Sequence, residues 1–185
     1  MTDKPPERLF LDRLATPIGE ALLVTDEDGV LRAFDWSDHE DRLRRLMRRY
    51  YGDVPLMPGS APPATRRAVQ AYFAGQRDAL DGLAWRTAGT DFQRRVWRAL
   101  AEIPVGVTVS YRDLAARIGK PTAVRAVGLA NGANPIGVVV PCHRVIGADG
   151  SLTGYGGGLD RKRWLLNHEG AVFRDKSPPA AALAA

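Results

Sequence analysis

The sequence predicts an α+β protein with a small strand-rich N-terminal α/β domain and a mostly helical C-terminal domain. Three observations carry this. Short apolar runs separated by turn residues fill Leu9 to Trp36. Helical spacing with capping signals takes over from Thr90. Two of the later helices are short and meet at a tight turn, Gly119-Lys120-Pro121, as in a helix-turn-helix. The expected boundaries are residues 1–85 for the N-terminal domain with its connector, 86–172 for the second domain, and a disordered tail at 173–185.

Taken in order, residues 1–8 show no apolar pattern and are expected to be loose. Leu9-Phe10-Leu11, Ala21-Leu22-Leu23-Val24 and Val30 to Phe34 read as strands. Thr16 to Gly19 and Asp26 to Gly29 are the turns between them, and an Asp-Gly pair between apolar runs is a hairpin signal. From His39 to Tyr51 the spacing is helical, with Leu43, Leu46, Met47 and Tyr50 on one face and Arg42, Arg44, Arg45, Arg48 and Arg49 on the other. Such an arginine face can touch DNA, but it is ordinarily a solvated face. The prolines at 55, 58, 62 and 63 mark a connector, and a helix follows from about Ala64 to Ala74. Leu83-Ala84-Trp85 is a short extended piece.

Thr90 or Asp91 caps a helix that buries Phe92, Val96, Trp97, Leu100 and Ile103. Ser110-Tyr111-Arg112-Asp113 is a capping box opening a short helix through Ile118. Thr122 is expected to cap the next helix, Ala123 to Gly132, whose side chains are small apart from Arg125, one of its few long ones. A smooth helix with a long cation suits a narrow groove, or else close packing inside the protein. The last helix runs from about Leu159 to His168 with Trp164 and Leu165 buried.

Size and composition set bounds. At 185 residues, 45% hydrophobic and 25% charged, the chain has the balance of an ordinary globular protein. The net charge of +5 leans towards an anionic partner such as nucleic acid. A single cysteine excludes an internal disulfide and a Cys-rich zinc site, and it fits the reducing cytoplasm. No signal core precedes Leu9, and no run nears the ~18 apolar residues of a membrane span, so no membrane partner is expected.

That cysteine lies in Ile136-Gly-Val-Val-Val-Pro-Cys-His-Arg-Val-Ile146. The apolar run reads as a buried strand ended by Pro141. Cys142 follows, with His143 and Arg144 beside it, and positive neighbours favour the reactive thiolate. A lone cysteine is otherwise a small core hydrophobe. Farther on, Gly154 to Gly158 form a loop with almost no side chain except Tyr155, either a flexible linker or a surface for a flat ligand.

Asn134-Pro135 followed by Pro141-Cys142-His143-Arg144-Val145 resembles the active-site motif of the O6-alkylguanine-DNA alkyltransferases, also called methylated-DNA–protein-cysteine methyltransferases. The resemblance spans roughly residues 90–170. It takes in Asp91-Phe92-Gln93, Val96-Trp97, Ile103-Pro104, Gly106, Ser110-Tyr111, Arg125-Ala126-Val127-Gly128, Gly154-Tyr155, Leu165-Leu166 and Glu169-Gly170. It implies an RNase H-like N-terminal domain and direct-reversal DNA repair. The alkyl group of O6-alkylguanine, and of O4-alkylthymine, passes once from double-stranded DNA to Cys142 after the nucleotide is flipped out.

Carried over by position, His143 takes the thiol proton and Glu169 orients the imidazole. Tyr111 helps rotate the nucleotide and donates to the base, while Arg125 fills the gap in the stack. Arg112, Lys120 and Ala148 are candidates for backbone contact. Tyr155, Gly156, Gly157 and Asn134 belong to the substrate pocket, Asn134 as the tie between the helix pair and the active-site segment. Gly156 stands where some relatives have serine, which leaves backbone donors for the guanine oxygen. No cofactor and no metal are expected, and the protein is expected to act as a monomer. The competing classes are a non-catalytic binder of alkylated DNA and a Cys-His hydrolase, the latter requiring an oxyanion hole at Cys142.

Overall fold

A computed structural model describes residues 5–175. Of the tail expected at 173–185, residues 176–185 lie outside the described residues, whereas Arg174 is paired: it bridges Ser151, and its amide donates to the Gly150 carbonyl at 2.7 Å. Strands β1 (Leu9–Thr16), β2 (Gly19–Asp26) and β3 (Leu31–Trp36) form an antiparallel meander. Helix α1 (Glu40–Tyr51) follows it, and β4 (Leu56–Pro58) then pairs in parallel with β1, giving the sheet order β3-β2-β1-β4. Part of the proline-rich connector is therefore an edge strand. An edge tolerates Pro58, because only one side of that strand needs its backbone groups.

The pleat sends alternate residues to opposite faces. Leu9, Leu22, Val24 and Ala33 meet Leu43, Met47 and Tyr51 of α1 on one side. Leu14, Ala21, Leu23, Phe34 and Trp36 face the other way, into a core shared with Val69, Tyr72 and Phe73 of α2 (Pro63–Phe73) and with the second half of the chain. Both faces of β2 and β3 are thus covered, and every residue of β3, and of β2 from Ala21 onward, is buried.

The second half contains α3 (Asp91–Ala101), β5 (Val109–Ser110), α4 (Tyr111–Arg117), α5 (Val124–Gly132), β6 (Val145–Ile146) and α6 (Leu159–Glu169). Both expected capping boxes form. Thr90 accepts from the Gln93 amide and Ser110 from the Asp113 amide, with each partner reaching back. Helix α5 has no side-chain cap, contrary to the expectation for Thr122. The Ala123 amide bonds the Lys120 carbonyl at 2.9 Å, so Thr122 lies inside a turn one residue too early to cap the helix. Trp164 is half-buried; the buried side of α6 is Lys162, Leu165, Leu166 and Glu169, and Gly170 ends it in the left-handed conformation.

The apolar run before Cys142 is not a strand. After a single bridge between Ile136 and Phe34, the chain turns, and the Val140 amide bonds the Ile136 carbonyl at 2.9 Å. Val138 adopts φ 65°, a left-handed conformation that a β-branched residue rarely takes. Asn134 supplies the hydrogen bonds that a neighbouring strand would have given. Its Oδ1 accepts from the Ile136 amide at 3.0 Å and its Nδ2 donates to the Val140 carbonyl at 2.7 Å. Burial was read correctly from the pattern (Ile136, Val138 and Val140 are all buried), but hydrophobicity alone does not separate a strand from a packed turn.

Main-chain bonds join the two halves. The Phe34 amide donates to the Pro135 carbonyl and the Gly137 amide to the Phe34 carbonyl, both at 2.9 Å. Arg161 of α6 lies 4.7 Å from the Trp36 ring and donates to the Ile18 carbonyl at 2.8 Å. No helix among the described residues is long and apolar enough to cross a membrane.

Candidate active site

Cys142 opens a short 3-10 turn, Cys142–Arg144, that runs directly into β6. Strand β6 pairs with β5, and β5 runs directly into α4. This two-residue ladder brings Tyr111, the first residue of α4, towards the thiol. Cys142 is 7% exposed and lines a cavity of about 300 Å³. Phe34, Asp35 and Trp36 come to its wall from β3, and Arg42 comes from α1. Tyr111, Gly128, Asn131 and Asn134 add the helix-pair side, and Gly154 to Gly157 with Tyr155 close it. Its volume is at the lower end of small-ligand pockets. A larger cleft of about 790 Å³, beside the Asp26–Gly29 turn and the start of α2, contains none of the expected site residues.

His143 and Glu169 are fully enclosed behind the thiol, with no exposed side-chain surface. His143 Nε2 lies 2.9 Å from Glu169 Oε1. A carboxylate only accepts, so Nε2 carries the hydrogen and Nδ1 keeps a free lone pair. Nδ1 is buried and has no hydrogen-bond partner. Arg144 does not face the thiol, as the sequence suggested. Its Nε and Nη2 grip Glu169 at 2.8 and 2.9 Å, and its Nη1 donates to the Ile103 carbonyl. Tyr72 of α2 donates its hydroxyl to the same carboxylate at 2.7 Å. Burial alone would raise the Glu169 pKa; His143 and Arg144 outweigh it and hold the carboxyl well below its usual range. Burial lowers the His143 pKa despite Glu169, leaving the ring neutral and able to accept a proton.

Burial likewise raises the Cys142 pKa. Against it act the Asn134 side chain and the charges of Arg42 and Lys162, rather than Arg144. Lys162 is fully buried, donates to the Val145 and Thr153 carbonyls at 2.6 and 3.0 Å, and has its pKa lowered by burial to about 8. The Tyr111 hydroxyl lies 3.1 Å from Thr153 Oγ1. Burial raises the Tyr111 pKa, and the Thr153 bond works the other way.

Arg42 departs from the solvated-face expectation. It pairs with the buried Asp35 carboxylate and donates to the Gly132 and Asn134 carbonyls at 2.9 and 3.2 Å. Sequence reasoning missed Arg42, Lys162, Tyr72 and Asn131 as parts of the site. Arg42 resembled the four other arginines of its helix, and nothing in the sequence sets Lys162 apart from the other basic residues of the last helix.

Arg125 projects into solvent from α5, with Ala126 and Leu129 exposed on the same helix. Arg112, Lys120 and Ala148 are also exposed. A Cβ on Gly157 would come within 2.5 Å of the Trp36 indole nitrogen and 2.8 Å of the Tyr155 ring. A Cβ on Gly156 would meet the Arg42 guanidinium at 2.8 Å. Gly157 is therefore required where the loop closes over the cavity, whereas a side chain at 156 meets only the movable end of Arg42.

A family model described as the 6-O-methylguanine DNA methyltransferase DNA-binding domain matches residues 91–171. The methylated-DNA–protein-cysteine methyltransferase of Salmonella typhimurium is 49% identical over 168 residues, which cover 90% of this chain and 98% of that protein. The protein of the same name from Methanosarcina barkeri is 44% identical, over 87% and 97%. A crystal structure of Mycobacterium tuberculosis OGT in complex with DNA superposes with a TM-score of 0.74 at 42% identity, covering 87% of this chain and 92% of that one.

Proposed function

The chain belongs to the methylated-DNA–protein-cysteine methyltransferase family, and we propose that it repairs O6-alkylguanine in double-stranded DNA by moving the alkyl group onto Cys142. The observation that carries this is the placing of the only thiol at the edge of an enclosed cavity, with a neutral imidazole and its carboxylate sealed behind it.

Helices α4 and α5 act as a helix-turn-helix within a DNA-binding and active-site unit of residues 86–172. Residues 1–85 form an RNase H-like unit that supplies the far wall; the sheet order and the parallel β4 support that comparison. Helix α5 enters the minor groove, Arg125 fills the space left in the stack, and Arg112, Lys120 and the Ala148 backbone hold phosphates. Unstacking costs a few kcal/mol, less for a base that pairs poorly. The purine then lies among Tyr155, Gly156, Gly157 and Tyr111.

His143 Nδ1 takes the Cys142 proton through a bridging water, and Glu169 stabilises the imidazolium. The thiolate attacks the alkyl carbon. A sulfur–carbon bond forms, the carbon–O6 bond breaks, and the electron pair stays on the purine. Tyr111 donates a hydrogen bond or its proton to the leaving base. The thioether product is inert to water, so each molecule acts once. O4-alkylthymine is a second substrate of the same displacement. The protein works as a cytoplasmic monomer.

Incubation with an O6-methylguanine duplex is expected to add one methylene of mass to the peptide holding Cys142, read by denaturing mass spectrometry. Cys142→Ser is expected to bind the duplex and gain nothing. Repeated turnover, or label on another residue, sinks the assignment.

A further inference from the structure

Tyr111 is the donor to the leaving base in the proposed reaction, and its ring and its hydroxyl are each held by a different element. The ring lies along α5, where a Cβ on Gly128 would come within 3.8 Å of it. The hydroxyl lies 3.1 Å from Thr153 Oγ1, and either oxygen can be the donor. Tyr111 lines the Cys142 cavity, whereas Thr153 does not; the wall resumes one residue later, at Gly154. The threonine therefore reaches Tyr111 from outside the cavity. Its main chain is fixed there. The Thr153 carbonyl accepts from the buried Lys162 ammonium at 3.0 Å, and the same ammonium grips the Val145 carbonyl at 2.6 Å.

We infer that Thr153 is a positioning residue that donates a hydrogen bond to the Tyr111 oxygen and thereby leaves the phenolic hydrogen free for the leaving purine. This rests on the alkyl-transfer reading of the same site. Each hydroxyl has one hydrogen to give and can accept as well. A Tyr111 that gave its hydrogen to Thr153 would have none left for the base. With Thr153 as donor, the chain runs from Thr153 to Tyr111 to purine, and each bond polarises the next. The Thr153 O–H bond stays intact throughout. Only the Tyr111 proton shifts, towards the ring that has lost the alkyl group. The Thr153 hydrogen bond then steadies the negative charge that gathers on the phenolic oxygen. The electrostatics of the free protein agree. Burial raises the Tyr111 pKa, the Thr153 bond opposes that rise, and the Cys142 charge adds to it.

The test is single-turnover methyl transfer from a saturating O6-methylguanine duplex, run beside alkylation of Cys142 by iodoacetamide, which needs no proton from Tyr111. Thr153→Val keeps the branched shape and removes the hydroxyl. It is expected to slow methyl transfer about tenfold and to leave iodoacetamide alkylation within about twofold of wild type. Thr153→Ser keeps a hydroxyl and is expected to transfer methyl within about threefold of wild type. In a Tyr111→Phe protein, itself slower than wild type, adding Thr153→Val is expected to cost less than about twofold, since the bond it removes is already gone. The inference is overturned if Thr153→Ser slows transfer as much as Thr153→Val, if Thr153→Val slows both reactions alike, or if its loss persists in full beside Tyr111→Phe. Wild-type protein that accepts no methyl from the duplex overturns the alkyl-transfer reading itself. Normal transfer by wild type with no loss in Thr153→Val overturns the inference alone.

Discussion

Behind Cys142 the cavity is backed by charges that satisfy one another; opposite, it is bounded by a peptide seam, aromatic rings and glycines. In the first region Glu169 accepts from His143, Arg144 and Tyr72, so every carboxylate oxygen is used. In the second, Phe34, Trp36 and Tyr155 meet Gly156 and Gly157, and only Arg42 with Asp35 brings charge. The difference separates two tasks. A saturated ion cluster fixes one protonation state and one ring orientation. A wall of rings over bare backbone fixes a shape. Damage to the first region is expected to reach stability and proton transfer, and damage to the second the fit of the base.

The largest expected effect is that of Glu169→Gln. It leaves Arg144 without its carboxylate inside the protein, at a cost of about 3–5 kcal/mol in chemical denaturation. The pH profile sharpens the point. Folding lowers the pKa of both His143 and Glu169, so the unfolded chain binds more protons at low pH. Wild-type stability is expected to fall as pH drops below about 6.5, and more steeply below about 4.3. The steeper limb is expected to vanish in Glu169→Gln. An unchanged acid limb would mean that the cluster does not hold its charge as described.

Arg42→Met removes the partner of buried Asp35 and two carbonyl contacts to the α5 end of the cavity. About 1.5–3 kcal/mol of stability is expected to go, together with slower alkylation of Cys142 as its pKa rises further. A thiol titration with a small electrophile across pH measures that rise. Gly157→Ala tests shape alone, since its Cβ meets the enclosed Trp36 ring. A loss of about 1–3 kcal/mol is expected, with methyl transfer weakened more than reaction with the small electrophile. Equal effects on both reactions would erase the distinction between the regions. Thr90→Ala lies outside both, at the cap of α3. It is expected to lower the thermal midpoint by the equivalent of about 1 kcal/mol and leave the transfer rate as it was.

The reacting side of the site was legible in the sequence because its parts sit in short, ordered motifs. Cys142 and His143 are neighbours, and Ser110 to Asp113 announces the helix that starts with Tyr111. The opposite side was not, because its residues meet across long stretches of chain. Nothing local distinguishes Arg42 from Arg45, yet Arg42 reaches carbonyls on residues 132 and 134. Lys162 was unreadable for another reason: a lysine is seldom buried unless something holds it, and its holders are backbone carbonyls, which have no signature in sequence. The three strands of the meander were foreseen from short apolar runs and turn chemistry, whereas β4 hid among prolines. The run from Ile136 to Val140 failed as a strand because the Asn134 side chain, rather than a neighbouring strand, takes its hydrogen bonds.

The ladder that ties Phe34 to Ile136 also bears on how the molecule is made. Its partners lie about a hundred residues apart, and closing so long a loop weighs against early contact. During synthesis the meander leaves the ribosome long before the reactive segment that will complete its edge. The nascent chain therefore carries an unsealed strand for most of its elongation, and the lesion pocket comes into being only in the final act of assembly.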